Sequence, residues 1–316
     1  MAAMDVTDVE GRVDPRRALA ALGYGETSEP RRVRGGWDTL LWRFQTPDGR
    51  EHSLRVYYLP RREEIARRER IALETCARAG LPAPRVEAAG ECEGLPATVL
   101  SWCPGRPILS FIEKKPWTMW RLGRLFGRAQ AQLHAVAPPP EFAENAPQEW
   151  VSRLEERYSE LAAGALSLGL ATDSLIHMDF HPLNVLSDGR AMTGIVDWAG
   201  AAAGDRRADL ARTVVTLLAA PVPPGPMRPL LNLARTVILR AWRSGYEELA
   251  GPMSDYRPLM AWAGATLLAE ITLVIGRPNV WGTQDDIEKF RRLVGVWARE
   301  AGPQPAGRRG RRTRPV

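Results

Sequence analysis

The hydrophobic pattern of this 316-residue chain changes after about its first third, and this change is the strongest constraint on its fold. Strand-like runs occupy residues 39–46, 52–59, 85–89 and 97–102. The first two runs flank Pro47-Asp48-Gly49, a turn sequence that predicts a β-hairpin. Residues 61–78 carry apolar side chains at helical spacing. The first part of the chain therefore predicts a sheet with one long helix packed on it, preceded by a short helix at 15–22.

From Trp117 onward the pattern becomes helical. The predicted helices are 117–136, 147–168, 210–220, 228–249, 256–275 and 284–300. A second hairpin is predicted at 184–196, around the turn Asp188-Gly189. We therefore predict an α+β fold of two lobes: an N-terminal lobe at 1–102 with an antiparallel sheet and a helix, and a larger, mostly helical C-terminal lobe at 103–301. A cleft between two such lobes is a common ligand site.

Residues 302–316 form a tail that is rich in Gly, Pro and Arg and has no apolar periodicity. Five arginines and no acidic residue lie in its last nine positions, so they account for most of the net charge of +6. This composition predicts a disordered tail. The rest of the chain is close to neutral and lacks RNA-binding aromatic motifs and zinc-finger spacings. Nucleic acid is therefore not a predicted partner.

Cysteine usage and hydropathy bear on the cellular compartment. Cys76, Cys92 and Cys103 are few, odd in number and too widely spaced for a metal knuckle, which fits a reducing cytoplasm. The N-terminus has no basic segment followed by an apolar core, so no signal peptide is predicted. The longest apolar stretch, 261–276, contains Glu270 and is too short to span a bilayer. We predict a cytoplasmic protein without membrane association; the sequence indicates no oligomeric state.

The stretch 177–200 carries most of the chemical information. Asn184 follows Asp179 by five residues, and Asp197 comes after the apolar pair Ile195-Val196. Phosphoryl transfer from a nucleotide needs one carboxylate to orient and deprotonate a hydroxyl, and oxygen ligands that hold magnesium on the phosphates. These three side chains have the types that this chemistry requires.

Three segments in this order resemble the aminoglycoside phosphotransferase and choline kinase-like family: HMDFHPLN from position 177, DW from 197 and GDRRADLA from 204. The resemblance covers about residues 30–300 and implies a protein-kinase-like fold. It implies ATP or GTP as phosphate donor, Mg²⁺ as cofactor, Asp179 as the catalytic base, and Asn184 and Asp197 as magnesium ligands. By the same resemblance, Asp209 helps to hold the loop.

The chain departs from the family pattern at two places. The family commonly has glycine at position 178, where this chain has Met178. Asp205 is followed by Arg206 and Arg207, where a proline-containing segment is more usual. A bulky residue at 178 is compatible with the fold if its backbone stays in an allowed region, and it narrows the site. Met178 and the short glycine loop are the two features that support the alternative function. That alternative is a pseudokinase-like module that binds a nucleotide or has a regulatory role.

The resemblance also indicates the nucleotide-binding residues. Gly35 and Gly36 resemble the loop that covers the phosphates, where glycines let backbone N–H groups approach the anion. Kinase-like folds usually place a lysine on the next strand, and here Arg55 takes that place. Its planar guanidinium can donate two parallel hydrogen bonds to one phosphate group, and it stays charged. Glu69 on the following helix is its expected ion-pair partner, with Glu74 as the second choice.

The end of the run 97–102 is predicted to contact the adenine ring. In the kinase-like arrangement this strand leads into the connector between the lobes, so backbone groups from Leu100 to Trp102 are placed beside the adenine edge. The side chain of Trp102 has an alternative place in the hydrophobic core. These two positions complete the predicted nucleotide site.

A zinc site is the competing interpretation of the same stretch. His177, Asp179 and His181 alternate, so on an extended segment they can face one ion. Only two further histidines exist, His52 in the first hairpin and His134 near a helix end, which makes a complete hydrolase site hard to assemble. We therefore expect His177 and His181 to orient the loop through hydrogen bonds.

The acceptor is predicted to be a small hydroxylated molecule. Residues 210–300 contain eleven Lys and Arg against eight Asp and Glu, whereas a polycationic aminoglycoside favours a strongly acidic groove. Most of the tryptophans in this part are expected to pack in the core, and one or two can line a pocket for a moderately apolar alcohol or sugar: Trp242, Trp262, Trp281 and Trp297. A small hydroxylated metabolite or natural product fits this composition better than an aminoglycoside.

Overall fold

The structure is a computed structural model that describes residues 11–33, 39–142, 146–152, 154, 156–220, 225–274 and 283–300. Gly35, Gly36, Trp281 and the predicted tail at 302–316 lie outside the described residues. The predictions made for them stay predictions.

The small lobe is built on an antiparallel sheet of five strands. The strands are β1 (Arg31–Val33), β2 (Thr39–Gln45), β3 (Glu51–Tyr57), β4 (Val86–Cys92) and β5 (Leu95–Ser101), in the order β1-β2-β3-β5-β4. The predicted hairpin is confirmed as β2 and β3, with Leu41 opposite Arg55 and Trp42 opposite Leu54. This register places Arg55 in a central strand, where it also pairs with Thr98 of β5. Arg55 therefore has a hydrogen-bonded strand on each side.

Two helices cover the sheet. Helix α1 (Pro15–Ala21) starts where Asp14 accepts a hydrogen bond from the Arg16 amide at 2.9 Å, with proline in the first helical position. Helix α2 (Arg62–Arg78) is the predicted long helix. One core, which includes Leu40, Leu54, Val56 and Val99, fills the space between α1 and the sheet. Burial of each such side chain stabilises the fold by about 1.5–3 kcal/mol.

The connector leads into the larger lobe through β6 (Arg106–Pro107) and α3 (Ile108–Lys114). The long helices α4 (Met119–His134) and α8 (Arg228–Ala250) then pack very closely. A Cβ atom on Gly127 would lie 1.9 Å from the carbonyl oxygen of Trp242, and one on Gly245 would lie 2.0 Å from that of Arg124. Only glycine allows the two backbones to approach this far.

The remaining elements surround the stretch that carries the chemistry. They are α5 (Gln148–Val151), α6 (Ser159–Leu166), β7 (Ser174–Ile176), β8 (Val185–Ser187), β9 (Met192–Ile195), β10 (Ala202–Gly204), α7 (Arg206–Ala219), α9 (Met260–Val274) and α10 (Gln284–Glu300). The second predicted hairpin is confirmed as β8 and β9, and β7 pairs with β10. Asp205 caps α7 by accepting from the Arg207 amide at 2.8 Å, which gives this aspartate a structural role.

The prediction of one helix at 147–168 is wrong. In the described residues α5 ends at Val151 and α6 begins only at Ser159. The side chain of Trp150 is fully buried, and its indole nitrogen donates to the Ala203 carbonyl oxygen at 3.0 Å. This tertiary contact outweighs the local helical pattern. The short elements β7, β10 and α3 were not predicted from the sequence.

The lobes meet along α2 and the loop that follows it. Ile71, Leu73 and Cys76 of α2 belong to the hydrophobic core of the larger lobe. In the next loop, the Pro82 carbonyl oxygen accepts a hydrogen bond from the Ile195 amide of β9 at 2.8 Å. The helix that supplies Glu69 is thus packed against both lobes. In the described part of the chain, no helix is both long and apolar enough to cross a membrane.

Candidate active site

The loop between β7 and β8 contains an unusual backbone conformation. Met178 has φ of 69°, the left-handed region that side chains other than glycine rarely adopt, and its side chain is buried. The Met178 amide donates to Asp209 Oδ1 at 2.6 Å, and the Met178 carbonyl accepts from Arg212 Nε at 2.8 Å. Both partners lie on α7. The chain therefore adopts at Met178 the conformation that glycine would adopt without strain.

His177 is a buried, neutral support of this loop. Its Nε2 donates to the Val196 carbonyl oxygen at 3.1 Å, and its Nδ1 accepts from the Asp179 amide at 3.3 Å. Burial lowers the pKa of His177, and the nearby carboxylates only partly oppose this effect. Both ring nitrogens are engaged with backbone, which disfavours the zinc interpretation. Among the described residues no group of three His, Cys, Asp or Glu side chains is arranged to hold a metal ion.

Asp179 projects from this loop with its side chain about 40% exposed. Its Oδ2 accepts a hydrogen bond from Asn184 Nδ2 at 3.0 Å and lies 3.4 Å from His181 Nε2. Burial opposes ionisation, but the His181 contact and the positive charge of Arg212 outweigh it and hold the pKa of Asp179 well below its usual range. The pKa of His181 is raised overall: burial lowers it, but the bond to Asp179 and the nearby negative charges together outweigh this effect.

Asn184 and Asp197 are brought together by the β8–β9 hairpin. The Asn184 carbonyl oxygen accepts from the Val196 amide at 2.9 Å, which places Asp197 next in the chain beside the loop. Asn184 Nδ2 also donates to the backbone carbonyl of Asp179 at 3.0 Å, so Oδ1 is the amide atom that remains for another ligand. Asp197 has φ of 68° and a side chain that is 38% exposed. The hairpin thus brings together a buried amide and a partly exposed carboxylate.

Arg55 links the small lobe to this hairpin. Its Nη1 donates to Glu69 Oε1 at 2.5 Å, its Nη2 to Asp197 Oδ1 at 2.9 Å and its Nε to Thr39 Oγ1 at 3.0 Å. Burial opposes the charge, but Glu69 and Asp197 more than offset it and raise the pKa of Arg55 above its usual value. The predicted pair of Arg55 with Glu69 is present in the structure. Glu74 instead bonds Arg70, at 3.1 Å.

Glu69 is itself fixed from both lobes. The Tyr57 hydroxyl donates to its Oε2, and the Trp198 backbone amide donates to its Oε1 at 3.3 Å. Burial, together with the neighbouring carboxylate, raises the pKa of Tyr57 well above its usual value, so this hydroxyl remains a donor. The Trp198 side chain is fully buried. One carboxylate thus connects β3, α2 and the residue after Asp197.

Asp209 lies beneath the loop and is fully buried. Its Oδ2 lies 2.9 Å from His134 Nε2 and 3.0 Å from the donor Gln130 Nε2, and its other oxygen accepts from Met178. Burial opposes its charge, but these hydrogen bonds outweigh it and lower the pKa of Asp209. His134 also contacts the Tyr246 hydroxyl at 2.9 Å through Nδ1. The network ties α4, α7 and α8 to the loop.

The predicted adenine-contact residues lie at the end of β5. Leu100 pairs with Ser53 on one side and with Val86 on the other, so it is inside the sheet. The Trp102 amide donates to the Glu51 carbonyl oxygen at 3.0 Å, and the Arg43 guanidinium lies 4.6 Å from the Trp102 ring centre. Contact of either residue with a nucleotide stays a prediction.

Sequence reasoning missed Arg212, which contacts the loop directly. The available signal was its position three residues after Asp209, which puts both charges on one face of α7. The helix buries Asp209, Arg212 and Thr213 on that face. Charged side chains on a buried helical face need partners, and here the partners include the backbone groups of Met178 in the loop.

Two lobes joined by a connector, with carboxylates collected beside a hairpin of the larger one, define a phosphotransferase of protein-kinase-like fold. The sequence comparison agrees: a model of the phosphotransferase enzyme family matches residues 29–251, so the chain belongs to that family. The resemblance stated from the motifs is confirmed. No curated protein sequence matches the chain.

Solved structures confirm the fold. An amicoumacin kinase in complex with AMP-PNP and Ca²⁺ has a TM-score of 0.62 at 11% identity, over 94% of this chain and 96% of that one. A Plasmodium vivax ethanolamine kinase has a TM-score of 0.57 at 12% identity, over 85% and 81%. A putative fructosamine-3-kinase from Thermobifida fusca YX-ER1 has 0.55 at 18% identity, over 90% and 97%. At these identities the likeness concerns the fold alone.

Proposed function

We propose that the protein transfers the γ-phosphate of ATP or GTP to a hydroxyl group of a small molecule. The observation that carries this proposal is the convergence of Asp179, Asn184 and Asp197 at one end of a hairpin, with Arg55 of the other lobe bonded to Asp197. A carboxylate at the cleft, two oxygen ligands and a fixed cation are the groups that phosphoryl transfer requires.

Asp179 would act as the base. Its carboxylate is ionised at neutral pH, as its surroundings lower rather than raise its pKa, and it is held through Oδ2 by Asn184. A side chain fixed in this way can orient the acceptor hydroxyl toward the phosphorus atom and accept its proton as the new O–P bond forms. The bond between the γ-phosphorus and the bridging oxygen breaks, and the nucleoside diphosphate leaves.

Asn184 and Asp197 fit a magnesium ion. Mg²⁺ prefers hard oxygen ligands and usually takes only one or two from protein beside phosphate oxygens. The Asn184 amide nitrogen is bonded to Asp179, which leaves Oδ1 as the ligand atom, and Asp197 presents a partly exposed carboxylate. When bound, the ion would neutralise negative charge on the β- and γ-phosphates.

Arg55 would contact the nucleotide phosphates. Two of its nitrogens, Nη1 and Nε, donate hydrogen bonds to Glu69 and Thr39 of the small lobe. The third, Nη2, bonds Asp197 and is the one that a phosphate oxygen can take over. Because the guanidinium is planar, the first two bonds fix the direction of the third. The Glu69 pair would therefore aim Arg55 at the phosphates.

The acceptor would be a small hydroxylated molecule. The family neighbours named above are described as kinases of amicoumacin, ethanolamine and, as a putative assignment, fructosamine. In the helical part, Arg212 already bonds both oxygens of Glu270 through Nη2, at 3.0 and 2.8 Å. That carboxylate is thus neutralised within the protein, which supports an acceptor that is not strongly cationic.

Nucleotide-dependent thermal stabilisation and a panel of hydroxylated acceptors test the proposal. We expect ATP or GTP with Mg²⁺ to stabilise the protein, Asp197→Ala to remove the magnesium-dependent part, and a small alcohol or sugar to be phosphorylated. Asp255→Asn is the matched control, because Asp255 forms an exposed ion pair with Arg257. Binding without turnover of any acceptor, unchanged by Asp179→Asn, would favour the nucleotide-binding module. Rapid phosphorylation of kanamycin would contradict the acceptor class.

A further inference from the structure

Arg212 is a buried cation that the proposed chemistry does not use. It lies on α7, its side chain is only 4% exposed, and its three nitrogens face different surroundings. Nε donates to the Met178 carbonyl oxygen, and Nη2 donates to both carboxylate oxygens of Glu270. Nη1 is buried and has no hydrogen-bond partner among the described residues.

The ion pair with Glu270 does not account for this burial. The Glu270 side chain is 51% exposed, so water screens its charge and weakens the ion pair. Burying a guanidinium and leaving one of its N–H groups unpaired both cost free energy. An arginine placed only to pair with Glu270 would leave its guanidinium in water. The buried contact that distinguishes Arg212 is the one to the Met178 carbonyl.

This contact fixes the peptide unit that leads into Asp179. A peptide is planar, so its carbonyl oxygen and the next amide nitrogen move together. The carbonyl of Met178 is held by Arg212, and the amide of Asp179 in the same plane donates to His177. One residue earlier along the backbone, the Met178 amide is held by Asp209. Both polar groups of Met178 are therefore bound from one face of α7.

The bonds are needed because the conformation is unfavourable. A left-handed backbone at a residue other than glycine costs about 1–2 kcal/mol. Met178 has φ of 69° and stays there only if the surroundings hold it. If the carbonyl were released, the peptide could rotate toward an ordinary conformation. That rotation would carry the Asp179 carboxylate away from Asn184.

We propose that Arg212 is a positioning residue, which holds the Met178–Asp179 peptide in the orientation that directs Asp179 toward the acceptor. The inference rests on the proposed function, since Asp179 is the base in that proposal. Arg212 does not touch the reacting atoms in this role. It acts through one backbone carbonyl, that of Met178.

The first test is kinetic and uses three variants of the full chain. Arg212→Met keeps most of the volume without the charge or the donors, Arg212→Lys restores a charged donor, and Arg207→Met is the control. Arg207 lies on the same helix and pairs with Asp205, away from the loop. The probe is the release of inorganic phosphate from ATP with water as acceptor, repeated with any alcohol found in the panel.

We expect Arg212→Met to lower kcat by about 100-fold, the effect of misplacing a reacting group by about 1 Å, with KM for ATP within about twofold of the wild type. Arg212→Lys should recover about tenfold of that loss. The control should stay within about twofold of the wild type. A kcat for Arg212→Met within about threefold of the wild type, or an equal loss in the control, would overturn the proposal.

The second test needs no turnover, so it separates this inference from the proposed function. Amide hydrogen exchange is followed by mass spectrometry in peptides that cover residues 176–182. In Arg212→Met the Asp179 amide should exchange at least about tenfold faster, because it belongs to the peptide whose carbonyl Arg212 no longer holds. Glu270→Gln should change this rate by less than about threefold. Unchanged exchange in Arg212→Met would refute the positioning role even if the protein proves to be an active kinase. If instead no nucleotide binds while the exchange rates behave as expected, the proposed function is contradicted, whereas the positioning role of Arg212 is supported.

Discussion

The two halves of the candidate site are held in different ways. On the nucleotide side, Arg55, Glu69 and Asp197 are joined by ion pairs that cross from the small lobe to the β8–β9 hairpin. On the acceptor side, the loop that carries Asp179 is held within the large lobe by the buried side chains of Asp209 and Arg212.

The difference indicates which half can rearrange when a ligand binds. A bond between two charged side chains can be exchanged for a bond to a phosphate or a metal ion, since each partner keeps a favourable contact. A buried side chain that holds a backbone group has no such substitute, because its loss leaves a polar group unpaired in the interior. The side proposed to bind the nucleotide would therefore be adjustable, whereas the direction of Asp179 would be set before any ligand arrives.

The largest expected effect comes from removing the proposed base. Asp179→Asn keeps the shape of the side chain but cannot accept a proton, so phosphoryl transfer at saturating nucleotide should fall by about 1,000-fold. Nucleotide affinity should change by less than about threefold, because Asp179 is not among the groups proposed to hold the phosphates. Steady-state kinetics and nucleotide titration measure the two quantities. An equal loss of binding would show that the two halves are not independent.

A second change removes the charge of Asp209, which holds the loop that carries Asp179. Asp209→Asn removes the charge that accepts from Met178, Gln130 and His134, and should lower the free energy of unfolding by about 2–3 kcal/mol. Because the pKa of Asp209 is lowered by folding, its stabilisation is full above the unfolded value near 3.8 and is lost as pH falls through the folded value.

Denaturant unfolding of the wild type and of Asp209→Asn at several pH values checks this sign. The difference in free energy between them should be constant near neutral pH and should narrow as the pH is lowered below about 4. A difference that grows in acid would mean that Asp209 is not ionised in the folded protein. The exposed Asp255→Asn serves as the control, with an expected change within about 0.5 kcal/mol.

A third change tests the adjustable side. Arg55→Lys retains one positive charge but cannot bond Glu69, Thr39 and Asp197 together. We expect KM for the nucleotide to rise by about tenfold, with a smaller effect on the unfolding free energy than Asp209→Asn. Arg50→Lys, at an exposed turn beside Asp48, is the matched control. A loss of stability without any change in KM would assign Arg55 to the fold rather than to phosphate binding.

The smallest expected effect isolates the strain at Met178. Met178→Ala and Met178→Gly both remove the buried side chain, and they differ mainly in the cost of a positive φ. The glycine variant should be more stable than the alanine variant by about 1 kcal/mol, measured by chemical denaturation. At an ordinary helical position, such as Ala163 of α6, the order of the two residues is reversed. Equal stability at position 178 would mean that the loop relaxes when the side chain is lost.

Much of the fold follows from local patterns, and the exceptions have specific causes. The hairpin around Pro47-Asp48-Gly49 and the helix at 61–78 were predictable because their signals lie within a few residues of each other. The break after Val151 was not, because it depends on the bond of Trp150 to Ala203, about 50 residues away. The pairing of Arg55 with Glu69 was expected from the family resemblance, since its spacing alone does not specify a partner.

The least predictable part of the site is the conformation of Met178. Methionine gives no local indication of a left-handed backbone, whereas glycine in the usual family pattern does. The conformation results from contacts with Asp209 and Arg212, which lie about 30 residues further along the chain. Spacing on α7 indicates that these two charges share a helical face, but it cannot show which backbone groups they meet.

The hydrogen bond between Pro82 and Ile195 has a consequence for the motion of the two lobes. It joins the loop after α2 to β9 at 2.8 Å, while the covalent connector after Ser101 is a second attachment, where Thr193 Oγ1 donates to the Pro104 carbonyl at 2.5 Å. These attachments add to the core contacts of α2 with the larger lobe and to the bond of Arg55 to Asp197, so opening of the cleft would have to break side-chain contacts between the lobes. A phosphate group that took over the Arg55 bond would remove one of those contacts and make such an opening easier.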